Sequence, residues 1–253
     1  MKIWIVSKDN YKELGALKRA FKVSKDCDIC IAVGGDGTFV RAAEEYDCPI
    51  LPMRSREKNS TGYYADVNIN DIRKVIKRLK QGEYSEEVLT NKLEISFNGK
   101  KYFATNEVRL NNLLEEVSFK VYSIIGGRRE RTYPYIISGD GLIITSAVGS
   151  TAYNRSAGGP IILTPSVLCL TLLNADGPYN NPIIIDNNTE LEVKISKYSG
   201  RLRYDSSDIG LLKPGDSFRA RLSDRKVRIV RLKGMREDFA DKLDRMIRSK
   251  MLE

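Results

Sequence analysis

Three groups of residues have the types and spacing to do chemistry. Gly34-Gly35-Asp36-Gly37-Thr38 directly follows the apolar run Ile29-Cys30-Ile31-Ala32-Val33. The run reads as a buried strand, and the stretch after it as a tight glycine turn with one carboxylate in its middle. Glycines there let the backbone take positive φ and let a ligand approach main-chain N–H groups closely. Thr38 to Tyr46 look helical, so the turn also faces a helix N-terminus, where phosphate oxygens are favoured. A carboxylate repels phosphate. Asp36 is explained if it holds a metal ion or takes a proton from an attacking hydroxyl, and both point to phosphoryl transfer. The stretch is neither a Walker A loop nor the dinucleotide fingerprint. Its bland alternative is a solvent-facing turn.

The second group is Asn106-Glu107, after Tyr102-Phe103-Ala104-Thr105. An amide beside a carboxylate at a strand end could read an adenine edge and a ribose hydroxyl pair. Ordinary loop polarity is the alternative. The third group runs from Gly139-Asp140-Gly141 through Gly149-Ser150-Thr151-Ala152-Tyr153-Asn154-Arg155-Ser156 to Gly158-Gly159-Pro160. Its small residues permit a flat ring to approach backbone. Tyr153 could stack on that ring, and the hydroxyls of Thr151 and Ser156 could hydrogen-bond it.

These groups need elements to hold them. Lys2 to Ser7 is strand-like. Tyr11 to Lys22 places Leu14, Leu17 and Phe21 on one helical face. Asp28 to Val33 and Pro49 to Met53 are further strands. Asn70 is a candidate N-cap for a helix to Gln81 with Ile72, Val75, Ile76 and Leu79 inward, ended by Gly82. The alternation predicts a parallel, doubly wound sheet, with ligands beyond the carboxyl ends of its strands. Near Thr90 the character changes. Leu93 to Phe97 alternates into Asn98-Gly99, a type I′ hairpin signal. Val117 to Val121, Leu191 to Ile195 and Val227 to Leu232 are more strands, which predicts a β-rich domain. Arg236 to Met251 turns helical, with Phe239, Leu243, Met246, Ile247 and Met251 on one side. The expected fold is α/β. A Rossmann-like domain (1–89) carries the glycine turn, and a β-rich, β-sandwich-like domain follows (90–234). A C-terminal helix (235–253) returns to the first domain.

Composition excludes several alternatives. The 253 residues contain no histidine, which removes Ser-His-Asp and Cys-His catalysis and His-ligated zinc. Cys27-x-x-Cys30 has no second CxxC, so the four cysteines read as buried or semi-buried thiols. No apolar run is long enough to span a membrane, and the N-terminus reads as a strand rather than a signal peptide; a cytoplasmic protein is expected. The net charge of +9 suits a polyanionic partner. Arg54-Ser55-Arg56-Glu57-Lys58 and Arg128-Arg129-Glu130-Arg131 are the best support for a nucleic-acid binder.

Taken together and in order, the three groups resemble those of the NAD kinase family. The resemblance implies phosphorylation of the adenosine-ribose 2′-hydroxyl of NAD, with ATP or polyphosphate as donor, a divalent cation (Mg²⁺), and a homodimer or homotetramer. It implies that Asp36 is the catalytic aspartate, with Gly34, Gly35, Gly37 and Thr38 against donor phosphate. It implies dinucleotide contacts at Asp36, Gly37, Arg41, Asn106, Glu107, Asp140, Thr151, Ala152, Tyr153, Asn154, Arg155 and Ser156. Arg41 would meet phosphate; its alternative is a charge on an exposed helix face. The first motif is shared with lipid and sphingoid-base kinases, which stand as the alternative enzyme class. Asn59 to Asp66 departs from the family pattern and retains Gly62 and an aromatic. Thr145-Ser146-Ala147-Val148-Gly149 lacks the proline and one hydroxyl of the usual Ser-Thr-Pro-Thr-Gly. A histidine-containing segment is replaced by Leu173 to Pro178, so no nicotinamide contact is assigned.

Overall fold

The computed structural model describes residues 1–55 and 62–251. The expectations placed on Arg56 to Thr61, and on the side chain of Met251, lie outside the described residues. The chain divides into two units, Met1–Val88 with Val227–Glu253, and Leu89–Lys226.

The first unit opens with Lys2–Ser7 (β1), Leu14–Ala20 (α1), Lys22–Val23 (β2), Ile29–Val33 (β3), Asp36–Glu45 (α2), Ile50–Arg54 (β4) and Val67–Asn68 (β5). A 3₁₀ turn, Ile69–Asp71, leads into Ile72–Lys80 (α3). All pairings among these strands are parallel: β1 with β2 and β3, β3 with β4, β4 with β5. Every residue of β3 is buried, as its unbroken apolar run requires in a sheet covered on both faces. Leu14 and Leu17 of α1 and Ile72, Val75 and Leu79 of α3 share a core with Ile31, Val33, Leu51 and Met53. The N-cap of the α3 segment is Asn68 and not Asn70. Asn68 accepts the N–H of Asn70 at 2.9 Å while Asp71 accepts the N–H of Asn68 at 3.2 Å, a capping box that starts the turn early.

The second unit is a β-sandwich, as expected. Tyr84–Phe97 (β6) enters it and pairs through the Asn98-Gly99 turn with Lys100–Ala104 (β7). Asn98 and Gly99 have φ of 49° and 72°, as a type I′ turn demands. Next come Glu107–Asn112 (β8), Val117–Ile125 (β9), Arg128–Arg131 (β10), Ile137–Gly139 (β11) and Gly141–Thr145 (β12). After a short helix, Tyr153–Ser156 (α4), follow Val167–Leu173 (β13), Ile183–Asp186 (β14), Thr189–Lys197 (β15), Gly200–Tyr204 (β16), Ser207–Leu212 (β17) and Ser217–Leu232 (β18). One antiparallel sheet has the order β14-β13-β12-β8-β16-β17. The facing strands run β10-β9-β15-β18, with β6 also on β18 and β7 on β6. Alternate residues of both layers, among them Leu110, Leu142, Leu170, Phe119, Val193 and Phe218, make one apolar core.

Residues 227–234, expected in the β-rich domain, belong to the first unit. β18 is one strand whose last part pairs in parallel with β4, Ile229 opposite Ile50. Phe239–Met251 (α5) closes this unit, its Lys242 and Met246 buried.

Candidate functional site

Within the first unit the chemistry gathers at the carboxyl ends of β1, β3 and β4. The glycine turn is shorter than the sequence suggested, because α2 begins at Asp36 with Gly35 as its N-cap. Gly37 and Thr38 are therefore helical, and only Gly34, at φ 157°, departs from negative φ. A Cβ on Gly34 would lie 2.3 Å from Thr38 Oγ1, whereas a Cβ on Gly37 would meet nothing within 4 Å. Gly37 thus leaves open space over the first turn of a ten-residue helix, where free N–H groups favour anions.

Asp36 is held by a loop the sequence did not mark. Tyr64 donates its backbone N–H to Asp36 Oδ1 at 3.3 Å. Burial pushes the Asp36 carboxyl above its usual range; the N–H groups of Tyr63 and Tyr64, then Arg245 and Lys242, pull it back. The loop is fixed in turn by α5 and the end of β18. Arg245 donates to the carbonyls of Gly62 at 2.9 Å and Ala65 at 3.2 Å, and to Glu237. Arg54 bonds Glu237 at 2.8 Å and the Ala65 carbonyl at 2.8 Å. Asp66 is paired with Arg231 at 2.7 Å and Lys242 at 2.6 Å. The Tyr64 ring stacks on Phe39 of α2, with centroids 5.0 Å apart. Gly62, at φ 48°, lets Arg54 pass: a Cβ there would come within 2.7 Å of Arg54 Cγ.

In the second unit Asn106-Glu107 and the Gly149–Ser156 part of the third group come together where β12 ends and β8 begins, while Asp140 lies at the opposite end of β12, beside Asn112. Asp205, in the turn between β16 and β17, accepts three consecutive N–H groups, from Thr105 at 2.7 Å, Asn106 at 2.8 Å and Glu107 at 3.1 Å. Thr145 and Ser146 donate their hydroxyls to the carbonyls of Asn106 and Thr105, at 3.0 and 2.6 Å. A Cβ on Gly149 would lie 2.3 Å from the Asn106 carbonyl, so only glycine permits this approach. Glu107 is buried, and its Oε2 and the Nε of Arg109 have no hydrogen-bond partner. Burial and the Asp205 charge push Glu107 up to about 7, opposed by Arg109. Arg109 also lies 5.7 Å from the Tyr153 ring centroid, and that ring is half-exposed. Two unsatisfied buried polar atoms beside an accessible ring have the chemistry to receive a polar aromatic ligand.

The sequence carries the same message at the level of relatives. Residues 6–84 match the ATP-NAD kinase N-terminal domain and residues 129–232 the ATP-NAD kinase C-terminal domain. An NAD kinase of Natranaerobius thermophilus is 30% identical over 217 residues, spanning 81% of this chain and 73% of that protein. The chain belongs to the NAD kinase family. An NAD kinase of Sulfurimonas denitrificans is 27% identical over 89% of this chain and 80% of its own. Two solved structures share the fold. A crystal structure of an NAD kinase from Archaeoglobus fulgidus in complex with ATP superimposes with a TM-score of 0.76 at 17% identity, over 98% of this chain and 99% of that one. A yeast NADH kinase complexed with NADH gives 0.78 at 15%, over 96% and 86%.

Against the residues expected of the NAD kinase family, the structure places Asn106, Glu107, Tyr153 and the Gly149 turn in one neighbourhood. Asp140 is fixed by Asn112 at 2.9 Å and Asn174 at 2.6 Å. Thr151 donates to the Val148 carbonyl at 3.3 Å, Ala152 caps α4, and Ser156 is exposed. Asn154 is fully buried, bonded to Thr171 at 2.7 Å and the Pro160 carbonyl at 3.1 Å, so its side chain holds the loop together. Arg155 reaches back to the Thr151 carbonyl at 3.5 Å. Arg41 lies exposed on α2 and donates to the Ser7 carbonyl at 3.4 Å. Of the basic clusters, Arg128 pairs with Glu130 and Arg129 with Glu192, so much of that charge is already neutralised. Sequence reasoning missed Asp205, Arg109, Asp66 and Arg245. A turn aspartate and helix-face charges carry no local signal that separates them from ordinary ones.

Proposed function

We propose that this protein is an NAD kinase, which transfers the terminal phosphoryl group of ATP or polyphosphate to the adenosine-ribose 2′-hydroxyl of NAD. The observation that carries the reading is a partly desolvated Asp36 carboxylate at the N-terminus of α2, beside open space over Gly37. A carboxylate with a raised proton affinity is a better base at neutral pH. Asp36 would align the 2′-hydroxyl and accept its proton as the new O–P bond forms and the bond from γ-phosphorus to the bridging oxygen breaks. The N–H groups at the start of α2 would bind donor phosphate. Asn106 would read the adenine edge, Glu107 the ribose hydroxyls, and Tyr153 would pack on the ring.

A divalent cation fits this donor set in one way. Among the described residues no three Cys, Asp or Glu side chains gather to hold a metal. Mg²⁺ is commonly bound by one or two carboxylates together with substrate phosphates. Asp36 and the donor phosphates would hold it, and it would offset the repulsion between them. A homodimer or homotetramer in the cytoplasm is part of the same proposal.

The test is direct. The protein is incubated with NAD, ATP and MgCl₂, and the product is assayed with an NADP-specific dehydrogenase. NADP formation supports the reading. No NADP over a range of temperatures, with polyphosphate also tried as donor, overturns it.

A further inference from the structure

Cys27 and Cys48 lie far apart in sequence, yet their Sγ atoms are 3.0 Å apart. That is within about 1 Å of the ~2.05 Å of a disulfide bond. The approach is built into the sheet. Each cysteine stands two residues before its strand, Cys27 before β3 and Cys48 before β4. The strands are parallel neighbours with Cys30 opposite Ile50, and Cys30 N–H bonds the Pro49 carbonyl at 2.9 Å. The neighbouring Asp28 is tied to β1 by its side chain, which accepts the Lys2 N–H at 2.7 Å. Cys27 and Cys48 are both partly exposed, whereas Cys30 and Cys169 are fully buried. The cysteines, expected as buried or semi-buried thiols, include this one close pair, and the partner of Cys27 is Cys48 ahead of the neighbouring strand and not Cys30 of the CxxC.

We propose that Cys27 and Cys48 are a modification site that a low-molecular-weight disulfide oxidises to an intramolecular disulfide, stapling the Asp36-bearing β3–α2 segment. The closed loop contains β3, the Gly34-Gly35 turn and α2. Burial and the bond to Cys27 push the Cys48 thiol up to about 12, so Cys27 attacks the oxidant. Cys27 sulfur displaces one thiol from the oxidant and forms a mixed disulfide. Cys48 then attacks Cys27 sulfur, its proton passing to the second departing thiol. Two protein thiols and one oxidant disulfide become one protein disulfide and two small thiols. The link lies at the amino ends of β3 and β4 and leaves Asp36, at the carboxyl end, untouched. Cross-linking a loop of this length restricts the unfolded chain.

The intact protein, fully reduced, is incubated with oxidised glutathione. Thiol titration in denaturant should fall by two, the intact mass should drop by two hydrogens, and peptide mapping should join Cys27 to Cys48. The unfolding midpoint should rise by about 5–10 °C and return on reduction. Cys27→Ser and Cys48→Ser should each abolish the link and the shift, while the Cys30→Ser/Cys169→Ser double variant keeps both. Retention of all four thiols, a link mapping to Cys30 or between two chains, or a link without a rise in midpoint would each overturn the proposal.

Discussion

Asp205 accepts the backbone N–H of Glu107 at 3.1 Å through the same oxygen that takes the N–H of Asn106 at 2.8 Å. One turn aspartate therefore sets the backbone of the two residues proposed to hold the dinucleotide. Asp205→Ala removes a charged acceptor from three N–H groups, two of them on buried residues. Hydrogen bonds to charged groups contribute roughly 1.5–3 kcal/mol each, so a loss of about 3–5 kcal/mol is expected, lowering the melting midpoint by about 10 °C. KM for NAD should rise at least about tenfold while KM for ATP changes little. Calorimetry and steady-state kinetics check both; unchanged values would leave the clamp without a role.

Glu107 makes stability depend on pH and, under the proposed function, NAD binding as well. Its folded value of about 7 lies above the 4.5 of an exposed glutamate, because of burial first and Asp205 second. The folded state therefore binds the proton more tightly than the unfolded one. The contribution is fully present below about pH 4.5 and is lost as pH rises through about 7, an effect of up to about 3 kcal/mol. Urea unfolding at pH 5.5 and 8.5 should show the wild type losing stability towards pH 8.5 and Glu107→Gln losing less. KM for NAD should move the other way in the wild type, rising below pH 7 as the carboxylate loses its charge. Parallel pH profiles for the two proteins would refute this.

Asp36→Asn retains an oxygen to accept the Tyr64 N–H and should fold with a near wild-type midpoint. Turnover should fall roughly 10²–10⁴-fold, with KM for NAD nearly unchanged. Wild-type turnover in this variant would sink the role given to Asp36.

Gly37→Ala separates folding from function. Its Cβ would enter open space on a helix, so the fold should gain about 0.5–1 kcal/mol. The same methyl stands where donor phosphate would approach, and KM for ATP should rise at least about tenfold. A more stable variant with unaltered ATP kinetics would show that phosphate binds elsewhere.

What the sequence disclosed was local. The unbroken apolar run of β3, the Asn98-Gly99 turn and the helical stripe of α3 each depend on neighbours a few residues away, and each forms as its pattern predicts. The start of α2 was misplaced because glycines read as a turn, although Gly35 alone serves as the cap. β18 looked like a short strand because Phe218, Ala220 and Leu222 are separated from Val227, Ile229 and Val230 by Ser223-Asp224-Arg225-Lys226, which breaks the alternation. That polar stretch stays in the strand: Ser223 bonds the Lys92 carbonyl at 2.8 Å, and Asn91 bonds the Ser223 carbonyl at 2.6 Å.

The site was legible only where its residues are consecutive. Asn106-Glu107 and Gly149 to Ser156 stand out as words, but the groups that brace them come from far along the chain. Asp205 reaches Thr105 across a sequence separation of 100 residues, and Arg231 reaches Asp66 across 165. Single charges at such distances leave no pattern in one sequence. The drifted segment after Asn59 illustrates the converse. Its letters depart from the family, while Gly62, Tyr64 and Asp66 keep a backbone donor aimed at Asp36.

The split of the first unit has a consequence for how the protein is made. Asp36 leaves the ribosome early, but Lys242 and Arg245, which lock the loop beside it, lie beyond the whole second unit. At synthesis rates of roughly 5–20 residues per second, the aspartate waits on the order of ten seconds for its supports. A nascent chain can complete the sandwich first, whereas the Asp36 end of the first unit is finished only by α5. Interrupted translation would then yield a fragment in which the loop beside Asp36 lacks its Lys242 and Arg245 brace.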